Sequence, residues 1–299
     1  MELVHALKLS FSMPHLPPIS LVGPKRKWGR DSFGYFSLNP RVTRACILVH
    51  GWSGDAQKTW SGITPSVIRP TISGDTDFLY YDYSSIAKSA TFSAAQFREF
   101  LEAVSDDPAN LIANPSLKGL GTSNRSAFSY ERIVLVCHSM GSIIARRALI
   151  DMERQRLASF DTQEFRLLMF APAHSGSDLA QLAQELYGVG GLLQMPLAVF
   201  SAIAASRFRS LRDLRPNSQT LTILEAHSTA ARASVALRSQ AKSNFRAKVY
   251  HAENDAVVIQ ADFDNDFPID AVPAKGHGTI CRPLVGYSVP IDAIESMLK

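Results

Sequence analysis

The sequence is short of cysteine. Cys46, Cys137 and Cys281 are its three cysteines, widely spaced and without a CxxC pair. They offer no zinc framework and no disulfide scaffold, and they suit a reducing compartment. Long apolar runs are missing too: nothing approaches the roughly 18 uninterrupted apolar residues of a membrane-spanning helix, so none is expected. Charge is sparse, at 19% of the 299 residues, with a net value of only +4. The densest basic patch, Lys25-Arg26-Lys27, belongs to no long basic run interleaved with aromatics, so no nucleic-acid partner is expected. Residues 1–21 carry Lys8 as their only Lys or Arg, and His5, Lys8, Ser10 and Ser12 interrupt their apolar residues. That makes a poor signal peptide, and the expected location is cytoplasmic.

What the sequence does hold is material for a core. Hydrophobic residues make up 46% of it, and 299 residues are within reach of one α/β domain, so residues 1–299 are taken as a single unit without internal repeats. The chain is organised around Ile133-Val-Leu-Val-Cys137-His138-Ser139-Met140-Gly141-Ser142. A β-branched apolar run stops at a cluster of small residues, and Ile143, Ile144, Ala148, Leu149 and Met152 then follow helical spacing. This is strand, tight turn and helix, with Ser139 on the turn, where the hydroxyl stands above a sheet edge beside a helix N-terminus.

Earlier in the chain, Leu3 to Phe11 and Asp31 to Leu38 could form short strands separated by prolines. Ala45-Cys-Ile-Leu-Val49 has the continuous apolar pattern of a parallel strand buried on both faces. It ends in His50-Gly51-Trp52-Ser53-Gly54, where an acyl-transfer enzyme of this architecture places a main-chain oxyanion donor, here the N–H of Trp52. Phe78–Tyr81 is a second parallel strand, residues 92–104 a helix, and residues 106–129 a loop. Further strands are expected at Phe165–Phe170, Ala247–Ala252 and Phe267–Val272, with a closing helix at Ile291–Leu298. Residues 178–244 change character to alanine- and leucine-rich helices and are expected to form a cap inserted over the site. Contact of that segment with a membrane surface stays open. The alternation describes a doubly wound α/β domain with a mostly parallel sheet.

A serine nucleophile needs a base, usually histidine, and a carboxylate to orient it. Of the eight histidines, His277 is flanked by Gly276 and Gly278 just after the last strand, as suits an exposed, mobile-loop imidazole. Asp255 follows the penultimate strand, with Glu253, Asp262 and Asp264 as alternatives. The order Ser139, Asp255, His277 is the order of the hydrolase version of this fold. Cys137 stands where a glycine is usual. It closes a strand and is disfavoured as a nucleophile.

These motifs resemble the α/β-hydrolases. Leu48-Val-His-Gly-Trp-Ser-Gly54 running to Lys58-Thr-Trp60, together with Tyr81-Asp-Tyr-Ser84, His138-Ser-Met-Gly141, Ala171-Pro-Ala-His-Ser-Gly-Ser177 and His277-Gly-Thr-Ile-Cys-Arg-Pro283, is similar to the lipase-like group that includes SERAC-type, PGAP1-like and DUF676 proteins. The resemblance implies Ser139 as nucleophile, His277 as base, Asp255 as its orienting acid, and the N–H groups of Met140 and Trp52 as the oxyanion hole. It implies a supporting place for His174, and the indoles of Trp52 and Trp60 are expected to pack at the pocket wall. The expected activity is cleavage of a carboxylic ester of a lipid or other apolar acyl substrate, with no metal or organic cofactor. A thioesterase, amidase or acyltransferase would use the same parts, and a non-catalytic binding scaffold is the alternative from outside enzymology. Oligomeric state is not legible.

Overall fold

The computed structural model describes residues 15–16, 18–21, 31–106, 108, 111, 129–178, 209–238, 242–243, 245–263 and 266–299. Eight strands, β1 (Ile19–Ser20), β2 (Phe33–Tyr35), β3 (Arg44–Val49), β4 (Thr76–Tyr81), β5 (Arg132–His138), β6 (Glu164–Phe170), β7 (Ala247–Ala252) and β8 (Asp270–Val272), form one sheet in the order β1-β2-β4-β3-β5-β6-β7-β8. β1 and β2 are antiparallel to their neighbours, and the sheet is parallel from β4 to β8.

The helices are α1 (Ala56–Thr59), α2 (Pro70–Ser73), α3 (Ala90–Asp106), α4 (Met140–Arg154), α5 (Ala158–Thr162), α6 (Arg209–Asp213), α7 (Gln219–Ala236) and α8 (Val289–Leu298). The unbroken apolar run of β5 is buried on both faces, between α4 and α8. In α3, Phe97, Phe100, Leu101 and Val104 recur at helical spacing and turn inward against α4. The doubly wound, mostly parallel architecture expected from the sequence is the one observed.

Strand order decides where a ligand can reach the sheet. From β3 the chain steps outward to β4, then crosses back to lay β5 on the other side of β3. This reversal opens a crevice between the carboxyl ends of β3 and β5. Val49 pairs with Cys137 at that end, so His50-Gly51-Trp52 and His138-Ser139 emerge side by side.

The last strand is shorter than expected. Pro268 has no N–H to give a ladder, and the N–H of Phe267 bonds instead to the Ala247 carbonyl at 3.1 Å, so β8 begins at Asp270. The expected strand at Leu3–Phe11, most of the 106–129 loop and residues 179–208 of the expected cap lie outside the described residues. Within the described part of residues 178–244, α7 packs along α4. Ser234 Oγ donates to Glu153 at 2.8 Å, and Arg238 bridges Glu153 and Asp161 at 2.9 Å each. No described helix is long and apolar enough to cross a membrane.

Candidate active site

Ser139 sits between the end of β5 and the start of α4 with φ 51° and ψ −123°. A β-substituted residue is strained at positive φ, and the neighbours enforce it. The Ser139 N–H donates to the Phe170 carbonyl at 3.0 Å, and its own carbonyl accepts from Ser142 N–H at 3.0 Å. The turn closes so tightly on β3 that a Cβ on Gly141 would lie 2.5 Å from the His50 oxygen and 2.6 Å from the Val49 oxygen. Both are backbone atoms that cannot rotate away. Gly141→Ala is therefore expected to lose about 3 kcal/mol or more of stability, read as a lowered denaturant midpoint at unchanged slope. A midpoint like that of the native chain would mean the elbow is slack.

Across the crevice, Gly51 performs the matching service. A Cβ there would lie 2.8 Å from Ser139 Cβ and 3.0 Å from His138 Nδ1. Because Gly51 has no side chain, the loop after β3 lies against the serine, and the amide of Trp52 is the next one along. His50 braces this loop from behind. Its Nδ1–H donates to Gly51 O at 2.8 Å, and its ring stacks on Tyr83 at 4.3 Å. The Tyr83 hydroxyl donates to the His50 carbonyl at 2.8 Å. The amide of Met140 lies in the first turn of α4, at the positive end of the helix dipole.

The structure brings the three predicted side chains into one chain. The Ser139 hydroxyl lies 3.0 Å from His277 Nε2, and His277 Nδ1–H donates to Asp255 Oδ2 at 2.9 Å. Asp255 Oδ1 accepts the N–H groups of Val257 at 2.9 Å and Val258 at 3.1 Å, which fixes the carboxylate plane. Burial alone would raise the Asp255 pKa. The hydrogen bond and charge of His277, with the two amides, outweigh it and hold the carboxyl below its ordinary value. Of the alternative acids, Glu253 and Asp262 are exposed, and Asp264 lies outside the described residues.

One expectation changes. His277 is not an exposed imidazole on a mobile loop, being only 4% exposed. Its turn is closed by Ile280 N–H to Gly276 O at 3.2 Å and by Gly276 N–H to Thr279 Oγ1 at 3.1 Å. His138 Nε2–H donates to the His277 carbonyl at 2.8 Å. Burial, then the neighbouring His277, pushes His138 down to about 3, so it stays a neutral donor. Sequence reasoning missed this role for His138. Its place beside the serine was the available signal, but its partner is 139 residues away.

Other candidates fall outside this chain of bonds. Cys137 is fully buried, and burial raises its thiol pKa far above neutrality. His174 is buried with its ring 4.3 Å from Phe263, and burial followed by the Arg146 charge holds it well below its ordinary pKa. Arg146, fully buried and paired with Asp266, was also missed, because its helical position looks like any other. Trp60 is buried, as expected of a packing indole. The Trp52 indole is buried and donates a hydrogen bond to Ser210.

No protein-family model and no curated protein matches the sequence. Solved structures do match the fold. A hyperthermophilic esterase from the archaeon Pyrobaculum calidifontis aligns over 98% of this chain and 90% of its own, with a TM-score of 0.51 at 13% identity. A thermostable carboxylesterase cloned from a metagenomic library covers 99% of this chain and 93% of its own, with a TM-score of 0.49 at 12% identity. A Bacillus licheniformis lipase in its mature form covers 86% and 93%, with a TM-score of 0.47 at 14% identity. The chain has the α/β-hydrolase fold, and at such identities the likeness extends to fold alone.

Proposed function

We propose that this chain is a serine hydrolase that cleaves a carboxylic ester of a lipid or other apolar acyl substrate through an acyl-enzyme. The observation that carries the proposal is the hydrogen-bonded series Ser139–His277–Asp255 on a strained elbow. As Ser139 Oγ attacks the ester carbonyl, His277 Nε2 takes its proton, and Asp255 stabilises the imidazolium through Nδ1–H. The carbonyl oxygen becomes an oxyanion against the Met140 and Trp52 amides. Collapse expels the alcohol, which takes the proton from His277. Water then attacks the acyl-enzyme with His277 as base, releasing the acid and restoring the serine. No step calls for a metal or organic cofactor. Within the fold we place the chain beside the SERAC-type, PGAP1-like and DUF676 group, on its His50–Gly54 and His138–Gly141 motifs. We assign it to the cytoplasm, in keeping with three cysteines that are all free thiols.

The test is labelling with a fluorophosphonate, which reacts with an activated serine, followed by location of the adduct and turnover of p-nitrophenyl esters of graded chain length. An adduct on Ser139 and hydrolysis of the longer esters are expected. A folded chain that takes no label would refute the enzyme and leave a binding scaffold. Faster turnover of thioesters or amides, or transfer to an added alcohol, would move the activity within the same chemistry.

A further inference from the structure

We infer that Ser210 is a positioning residue for the oxyanion hole, acting through the side chain of Trp52. The inference rests on the assignment of the Trp52 amide as an oxyanion donor. Trp52 Nε1–H donates to Ser210 Oγ at 2.9 Å, and Ser210 Oγ donates onward to the Ile86 carbonyl at 3.2 Å. Accepting from one partner and donating to the other leaves the hydroxyl a single orientation. The indole is 5% exposed and Ser210 is fully buried, so water does not substitute readily for either bond.

The anchor itself is rigid. The described part of α6, Arg209–Asp213, carries Ser210 and is pinned by its surroundings. Leu211 and Leu214 are fully buried. Asp213 accepts the Ala90 N–H at the start of α3 at 2.8 Å and the Thr220 hydroxyl at 3.0 Å. Ser218 Oγ donates to the Asp213 carbonyl at 2.7 Å. The other side of the linkage is the Gly51–Trp52 peptide, whose carbonyl accepts from His50 Nδ1–H at 2.8 Å. Gly51 and Gly54 flank Trp52 and Ser53, closed by a Gly54 N–H to Gly51 O bond at 3.2 Å, with Ser53 at φ 54°. In this turn these bonds hold the carbonyl end of the peptide, and the Trp52 side chain holds its Cα end. Trp52 is the large side chain in that turn, and its polar atom is fastened to α6. The direction of the Trp52 N–H is thus set jointly by His50 and by a residue 158 positions downstream, within the 178–244 segment.

An oxyanion donor acts on the charge that develops in the transition state, so its misalignment lowers kcat and leaves substrate binding alone. Trp52→Phe removes the indole donor but keeps a smaller aromatic ring and the main-chain N–H, and Ser210→Ala removes the acceptor alone. Each is expected to lower kcat on a p-nitrophenyl ester about tenfold with KM within about twofold, and to weaken an aryl boronic acid by a factor similar to the loss in kcat. The double variant is expected to be no worse than either single, because both cut one linkage. Rates are taken per fluorophosphonate-titrated site and below the melting transition of every variant, so partial unfolding cannot pass for a kcat effect. Unchanged kcat, losses confined to KM, or losses that multiply in the double variant would each overturn the inference while leaving the hydrolase standing. A wild-type chain that neither hydrolyses nor labels would remove both.

Discussion

Ser139→Ala is expected to lower kcat on esters by about 10⁴-fold or more and to abolish fluorophosphonate labelling, while the protein stays folded. The loss follows from the chemistry, since the variant removes the hydroxyl that His277 would deprotonate and no acyl-enzyme can form. The stability consequence is less obvious and tests the elbow separately. Alanine and serine meet the same Cβ strain at φ 51°, so the exchange leaves that strain in place. Ser139→Gly removes it. It is expected to be about 1 kcal/mol more stable than Ser139→Ala, even after the greater backbone freedom of glycine in the unfolded state is counted. Both variants would be inactive, and thermal or denaturant unfolding would separate them. Equal stability would mean that the turn does not store strain, and retained ester turnover in Ser139→Ala would place the nucleophile elsewhere.

The parts of this site differ in how plainly the sequence announces them. Ser139 was legible because its chemistry needs a local pattern, a buried strand running straight into small residues and then a helix. Asp255 and His277 were legible through order along the chain, since a parallel sheet delivers the ends of successive strands to one edge. What stayed hidden depends on distant packing. The glycines around His277 suggested mobility, yet the loop is held by His138, whose reach across the crevice no local pattern encodes. Ser210 is an ordinary serine in α6 until the fold sets it against Trp52. Arg146 occupies a helical position typical of solvent-facing arginines, and only tertiary structure buries it beside Asp266. The strand expected from Phe267 begins only at Asp270 for a local reason, since Pro268 has no N–H to give a ladder.

Asp255→Asn is expected to reduce kcat near neutral pH by about 10⁴-fold while altering the fold little. Asparagine can keep its carbonyl oxygen toward the Val257 and Val258 amides, where Asp255 Oδ1 now sits at 2.9 and 3.1 Å. Its NH₂ then faces His277 Nδ1, and a donor there requires the imidazole to carry its proton on Nε2 instead. Nε2–H points at the Ser139 hydroxyl and cannot accept its proton, so the base is present but in the wrong tautomer. The same exchange changes the response to acid. The Asp255 carboxyl has a folded pKa below its unfolded one, so the native state binds fewer protons in that range. Its contribution to stability is complete above the unfolded value of about 3.9 and is lost as pH falls through the depressed folded value. Asparagine does not titrate. The native chain should therefore lose more stability than Asp255→Asn as pH drops below about 4, and the two denaturant midpoints should converge there. Parallel acid profiles would show that Asp255 is not held ionised by its surroundings. Activity of the variant close to that of the native chain would show that His277 is oriented without it.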